Sequence, residues 1–151
     1  MTLNLTATTT EEKVLKEYLE QNASEVLADK INNGVQVEKD GKKLFYGLDG
    51  GWLTGKEWSY LYRTAKPVDC AIFDTTCGEQ PGNFRIGTHN TIPMVRLLVE
   101  AFKENEVMRE GGKYIASHMG PHIHGVPAEE TARILAEFGV IMAYDGFETE
   151  I

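Results

Sequence analysis

Apolar residues recur at helical spacing in the first part of the chain. Val14, Leu15, Tyr18, Leu19, Ala23, Val26 and Leu27 lie between Lys and Glu residues, behind a capping-box pattern at Thr9-Thr10-Glu11-Glu12 and ahead of Asn32-Asn33-Gly34. This predicts a helix with one apolar face. The period then changes to two. Val35 and Val37 alternate with Gln36 and Glu38, Lys39-Asp40-Gly41-Lys42 has the composition of a tight turn, and Leu44-Phe45-Tyr46 resumes the extended run, which predicts a β-hairpin. Met1 to Thr10 is Thr-rich and shows no clear period.

Beyond the hairpin the two periods alternate. Thr54-Gly55-Lys56-Glu57 repeats the capping box before Trp58, Leu61, Tyr62 and Ala65, a short helix closed before Pro67, and Val68 to Phe73 reads as a strand. A Gly/Pro-rich loop from Gly78 to Gly87 leads to Asn90 or Thr91 as a cap, with Pro93 in the first turn and Val95, Leu98, Ala101 and Phe102 on one side of a helix. Gly111-Gly112 precedes a strand over Lys113 to Ser117. Pro127 opens a helix carrying Ala132, Leu135 and Phe138 that ends at Gly139, and Val140 to Tyr144 forms a last strand. The predicted order is α-β-β-α-β-α-β-α-β, an α/β fold with helices packed on a sheet through right-handed crossovers.

Composition narrows the class. A chain of 151 residues with 42% hydrophobic content fits one domain with its own core. A net charge of -8 and pI near 5.0, with no cluster of Lys and Arg, argue against nucleic acid as a partner. Cys70 and Cys77 lack a CxxC spacing, the N-terminus lacks a signal-peptide pattern, and no apolar run approaches bilayer length. The expectation is a soluble cytoplasmic protein with free thiols and no membrane segment.

Chemistry concentrates at predicted strand ends. Three of the four histidines, His118, His122 and His124, stand in one loop after the Lys113–Ser117 strand, where α/β sheets place ligands. Imidazole is the commonest protein ligand for zinc, copper or iron, so a metal or phosphate site stands beside the plainer reading of a surface loop. Asp49 lies between glycines after the second hairpin strand, as either a ligand or base or an ordinary Asp-Gly turn. Asp74 follows the Val68–Phe73 strand, in a cluster with Thr75 and Thr76 whose hydroxyls could simply close a turn, and His89 precedes a helix N-terminus.

These residues carry a resemblance. Tyr46-Gly47-Leu48-Asp49-Gly50-Gly51-Trp52, Ala71-Ile72-Phe73-Asp74-Thr75-Thr76, His89-Asn90, Ala116-Ser117-His118 and Ala143-Tyr144-Asp145-Gly146 resemble, in this order, the C-terminal half of metallo-β-lactamase-fold hydrolases. The likeness extends from Val35 to Ile151 and is nearest to the branch of metal-dependent phosphodiesterases that includes the cyclic phosphate phosphodiesterase of phosphonate breakdown. It implies half of an αββα sandwich, with a mixed sheet and helices mainly on one face. It also implies a divalent metal, zinc or manganese, with Asp49 as the aspartate that bridges two ions and serves catalysis, and His118 as the last histidine ligand. His122 is similar to a histidine turned toward substrate phosphate. His124, Asp74 and His89 are further candidates, the last two as groups that support a ligand or cap a helix.

The sequence departs from the family in one respect. The N-terminal half of such enzymes carries a His-x-His-x-Asp-His loop, whereas the first histidine here is His89. Catalytic zinc generally takes three protein ligands and keeps one position open, so the expectation is a metal-dependent hydrolase that is incomplete as a monomer and whose metal is itself in question. Half a sandwich would also leave an apolar sheet face bare, which soluble monomers rarely tolerate. A homodimer, or a complementary chain supplying the missing half, is therefore expected. The alternative is a non-catalytic truncated remnant that dimerises through that face. On either reading residues 1–151 form one domain, with 1–33 a helical N-terminal segment and 34–151 the half-fold.

Overall fold

A computed structural model describes residues 2–5, 35–80 and 84–151. The helix expected between Thr9 and Asn33 lies outside the described residues. Strand β1 (Thr2–Leu5) comes first, and β2 (Val35–Lys39) and β3 (Lys42–Gly47) form the expected antiparallel hairpin. Asp40 and Gly41 take φ of 54° and 71° at its turn, the left-handed pair that matches the twist of the flanking strands. Helix α1 (Gly55–Tyr60) begins on the capping box, with the Thr54 N–H donating to the Glu57 carboxylate. It runs into a wider turn, Leu61–Ala65, closed by a 3.0 Å bond from Lys66 N–H to the Leu61 carbonyl.

Strand β4 (Val68–Asp74) is buried along its whole length, as a central strand covered on both faces should be. A 3-10 turn at Phe84–Gly87 precedes α2 (Ile92–Glu104), whose first turn is capped by the Thr91 hydroxyl accepting from Met94 N–H at 3.3 Å. Strand β5 (Met108–Ser117), the short α3 (Pro121–His124), α4 (Ala128–Ala136), β6 (Val140–Met142) and β7 (Phe147–Glu150) follow. The main sheet has the order β2-β3-β4-β5-β6, antiparallel only at the hairpin and parallel across β3, β4, β5 and β6. Antiparallel pairing of β1 with β7 makes a separate two-stranded sheet. Among the described residues no helix is long and apolar enough to cross a membrane.

Alternation along the strands sorts the side chains into two cores. Phe45, Ala71, Phe73, Tyr114 and Ala116 point to one face and pack with Leu61 and Ala65 beyond α1, with Val95, Leu98, Val99 and Phe102 of α2, and with Ile134 and Leu135 of α4. The helices that contribute to a core thus lie on one side of the sheet. Val37, Leu44, Cys70, Ile72 and Ile115 point to the other face and are 0 to 1% exposed. They pack with Tyr46, Leu48, Ala143, Phe147 and Ile151. The centre of this second face is therefore covered within the chain, which differs from the bare wall expected of half a sandwich. Part of the cover comes from β7, an element the sequence reading did not contain.

Candidate metal centre

Parallel strands direct their C-terminal ends to one edge of a sheet, and loops leaving that edge converge. Asp49 lies just past β3, Asp74 is the last residue of β4, and His118 is the first residue after β5. Register sets them side by side: Gly47 pairs with Phe73, and Asp74 with Ser117. His89 enters the same place from the loop before α2. One ligand atom from each of Asp49, Asp74, His89 and His118 lies within 4.8 Å of the others.

Asp74 is the centre of this group, and its side chain is 0% exposed. Oδ2 lies 2.9 Å from His89 Nδ1 and 3.0 Å from His118 Nδ1, while Oδ1 accepts from the N–H of Thr76 at 2.9 Å and of Asn90 at 3.2 Å. Burial pushes the Asp74 carboxyl up, but the hydrogen bonds from His118, His89 and Thr76 N–H outweigh it and hold the group below its usual value. An ionised carboxylate can only accept. Both Nδ1 atoms therefore carry a ring proton, which leaves Nε2 as the nitrogen of each ring that can act as a ligand. The two rings stack at 5.5 Å with 21° between their planes.

His118 is fixed from two further directions. The Thr76 hydroxyl donates to the His118 carbonyl at 2.8 Å, and its oxygen lies 2.7 Å from His118 Nδ1. The backbone there is left-handed, with φ of 63° at His118 and 52° at Asp49, a conformation that non-glycine residues occupy uncommonly and that concentrates at functional sites. Asp49 is the exposed member. Its side chain is 75% exposed, and Oδ1 lies 3.9 Å from His89 Nδ1 and 4.0 Å from His118 Nε2.

The remaining histidines are placed differently. His124 is 4% exposed, with Nδ1 donating to the Thr75 carbonyl at 2.8 Å and Nε2 accepting from the Thr131 hydroxyl at 2.9 Å. Both of its nitrogens are engaged, so it buttresses the loop after β4 and stands outside the four-residue group. Contact there is close enough that a Cβ at Gly78 would lie 1.9 Å from the His124 carbonyl oxygen. His122 is exposed on α3 and is likewise not among the four.

Imidazole nitrogens and carboxylate oxygens suit zinc, manganese and iron. Bonds of 2.0 to 2.2 Å in a tetrahedron require ligand atoms about 3.4 Å apart, so a group spread over up to 4.8 Å would draw in by at most about 1.4 Å around an ion. The residues fit a divalent cation. Asp49, His89 and His118 offer three ligands, with Asp74 behind the two rings as a carboxylate that fixes their orientation. The sequence reading puts Asp49 and His118 first as ligands, with His124, Asp74 and His89 as further candidates. It lacked the fact that the loop before α2 returns His89 to the end of β4, and it read the Thr76 hydroxyl as turn chemistry.

No family model matches the sequence, and no curated protein matches it. Solved structures do. Zinc-bound PqqB from Methylobacterium extorquens superposes with a TM-score of 0.52 at 16% identity, over 78% of this chain and 40% of that one. The metallo-β-lactamase fold protein YhfI from Bacillus subtilis gives 0.53 at 11% identity, and a protein described as a possible metal-dependent hydrolase from Veillonella parvula gives 0.53 at 18%, each over 78% of this chain and 43% of the other. The chain therefore has a partial metallo-β-lactamase fold and spans about two fifths of the length of these structures.

Proposed function

We propose that this chain is a metal-dependent hydrolase component that acts on a phosphodiester or related ester and holds a divalent cation through Asp49, His89 and His118. The observation that carries the reading is the convergence of these three side chains, with Asp74 behind them, at the C-terminal ends of adjacent parallel strands. A cation bound there supplies a water acidified toward neutrality and polarises an ester oxygen. The chain's own residues do the rest. Asp74 holds the protons on both Nδ1 atoms and so turns Nε2 away from itself, Thr76 fixes the turn at His118, and His122, exposed on α3, is assigned as the donor to an anionic substrate oxygen. Zinc is favoured by the zinc-bound state of PqqB, and manganese suits the same donors.

Neighbours of which this chain spans only about two fifths favour a site that is finished by more protein, as a second copy of the chain or another polypeptide. The unpaired, buried thiols of Cys70 and Cys77 favour a reducing compartment such as the cytoplasm. A non-catalytic remnant has the short span of the match in its favour, and the ordered cluster around Asp74 against it. The test is release of nitrophenolate from bis(p-nitrophenyl) phosphate with zinc or manganese, over a range of protein concentration. The expected result is a chelator-sensitive rate per chain that rises with concentration and is absent in Asp49→Ala. A rate no greater than that of the free metal ion at every concentration would contradict the reading.

A further inference from the structure

Asp49 has little to hold its own side chain in place, being 75% exposed with its nearest ring nitrogens 3.9 and 4.0 Å away. Its position must be set by its backbone, and the carbonyl of the next residue is gripped by a buried side chain. Asn90 Nδ2 donates to the Gly50 carbonyl at 3.2 Å. The Asn90 N–H donates to Asp74 Oδ1 at 3.2 Å, and the Asn90 carbonyl accepts from Cys77 N–H at 3.1 Å. One residue thus fastens the loop after β3, the last carboxylate of β4 and the turn after β4. It is also the covalent neighbour of His89.

Asn90 is 2% exposed and its Oδ1 is buried without a hydrogen-bond partner. The amide cannot be turned round to relieve this, because the Gly50 carbonyl needs a donor and only Nδ2 provides one. A buried acceptor left unpaired works against the folded state. The grip on the Gly50 carbonyl is thus kept at the cost of one unpaired acceptor. We propose that Asn90 is a positioning residue for the metal centre: it sets the separation of Asp49 from His89 and Asp74, and through it the affinity and coordination geometry of the bound cation. This rests on the metal-binding reading above and adds to it a residue that touches neither metal nor substrate.

Two substitutions test it, Asn90→Ala and the nearly isosteric Asn90→Leu, which fills the site and removes the orphaned oxygen. Zinc affinity is measured by competition with a chromophoric chelator, Co(II) coordination by its visible absorption, and stability of the metal-free protein by urea unfolding. The expected result is zinc affinity weakened about 10-fold to 100-fold in both variants, an altered Co(II) spectrum, and metal-free variants that stay folded although the buried Gly50 carbonyl has lost its donor. A merely structural role would lower stability and leave affinity in the folded protein unchanged. Zinc affinity in Asn90→Leu within about twofold of wild type, with binding still lost in Asp49→Ala, would overturn the positioning role alone. Absence of zinc binding in the wild type would overturn it together with the metal-binding reading.

Discussion

Strand β4 carries a buried aspartate near each end, and the two have different partners. Asp69 is held by Lys43 N–H at 2.9 Å, Arg109 Nε at 2.9 Å and Lys42 Nζ at 3.3 Å, whereas Asp74 faces two histidines and two backbone N–H groups. Nothing in Val68-Asp69-Cys70-Ala71-Ile72-Phe73-Asp74 distinguishes them. Their difference comes from direction, because parallel strands bring loops together at the C-terminal edge, where Asp74 lies. Burial pushes the Asp69 carboxyl up, but the bonds from Lys43 N–H and Lys42 and the charge of Arg109 outweigh it and hold the group below 3.8. Ionised Asp69 therefore stabilises the fold at pH above that value, and the contribution drains away as pH falls from there through the lower folded value. Asp69→Asn should cost about 1.5–3 kcal/mol at neutral pH. The difference from wild type, measured by urea unfolding, should narrow only as pH falls below about 5, where the unfolded carboxyl begins to take up protons; a difference that shrinks already between about pH 7 and 6 would show that another group is responsible.

Elements were legible where a period ran long enough to be seen. The hairpin turn at Asp40-Gly41, the capping box at Thr54 and Glu57, and the apolar stripe of α2 could all be read from local chemistry. The pairing of β1 with β7 could not, because each strand has only four residues and the pairing joins opposite ends of the chain. Alternation in Phe147-Glu148-Thr149-Glu150 was the available signal, and it is too short to separate from a turn. Helix α2 matters most to the core through Phe102, whose ring meets Phe45 at 5.8 Å, Trp58 at 5.6 Å and Phe73 at 5.3 Å. Removing that ring leaves these three and Tyr114, 6.4 Å away, facing a cavity, so Phe102→Ala should lose about 3–5 kcal/mol in urea unfolding. A loss under about 1 kcal/mol would mean that the cluster closes over the gap.

At the scale of the molecule, strand order and the one-sided placement of the helices agree with the alternation of periods along the chain and with the partial metallo-β-lactamase fold. The cover on the second sheet face was not legible, because the described residues that supply it, Phe147 and Ile151 among them, have no strong pattern of their own. The metal centre was legible in part: Asp49 and His118 follow apolar strands and stand out, while His89 and Asp74 reach them only through tertiary structure. Whether these four side chains form a working cation site is the central claim. Its most direct measurement is metal content by elemental analysis after zinc loading and removal of free ion without chelator, on wild type, Asp49→Ala and His118→Ala. About one equivalent of zinc per wild-type chain, and a small fraction of that in either variant, is the expected result. A wild-type protein that retains no zinc, or variants that retain as much as wild type, would contradict it.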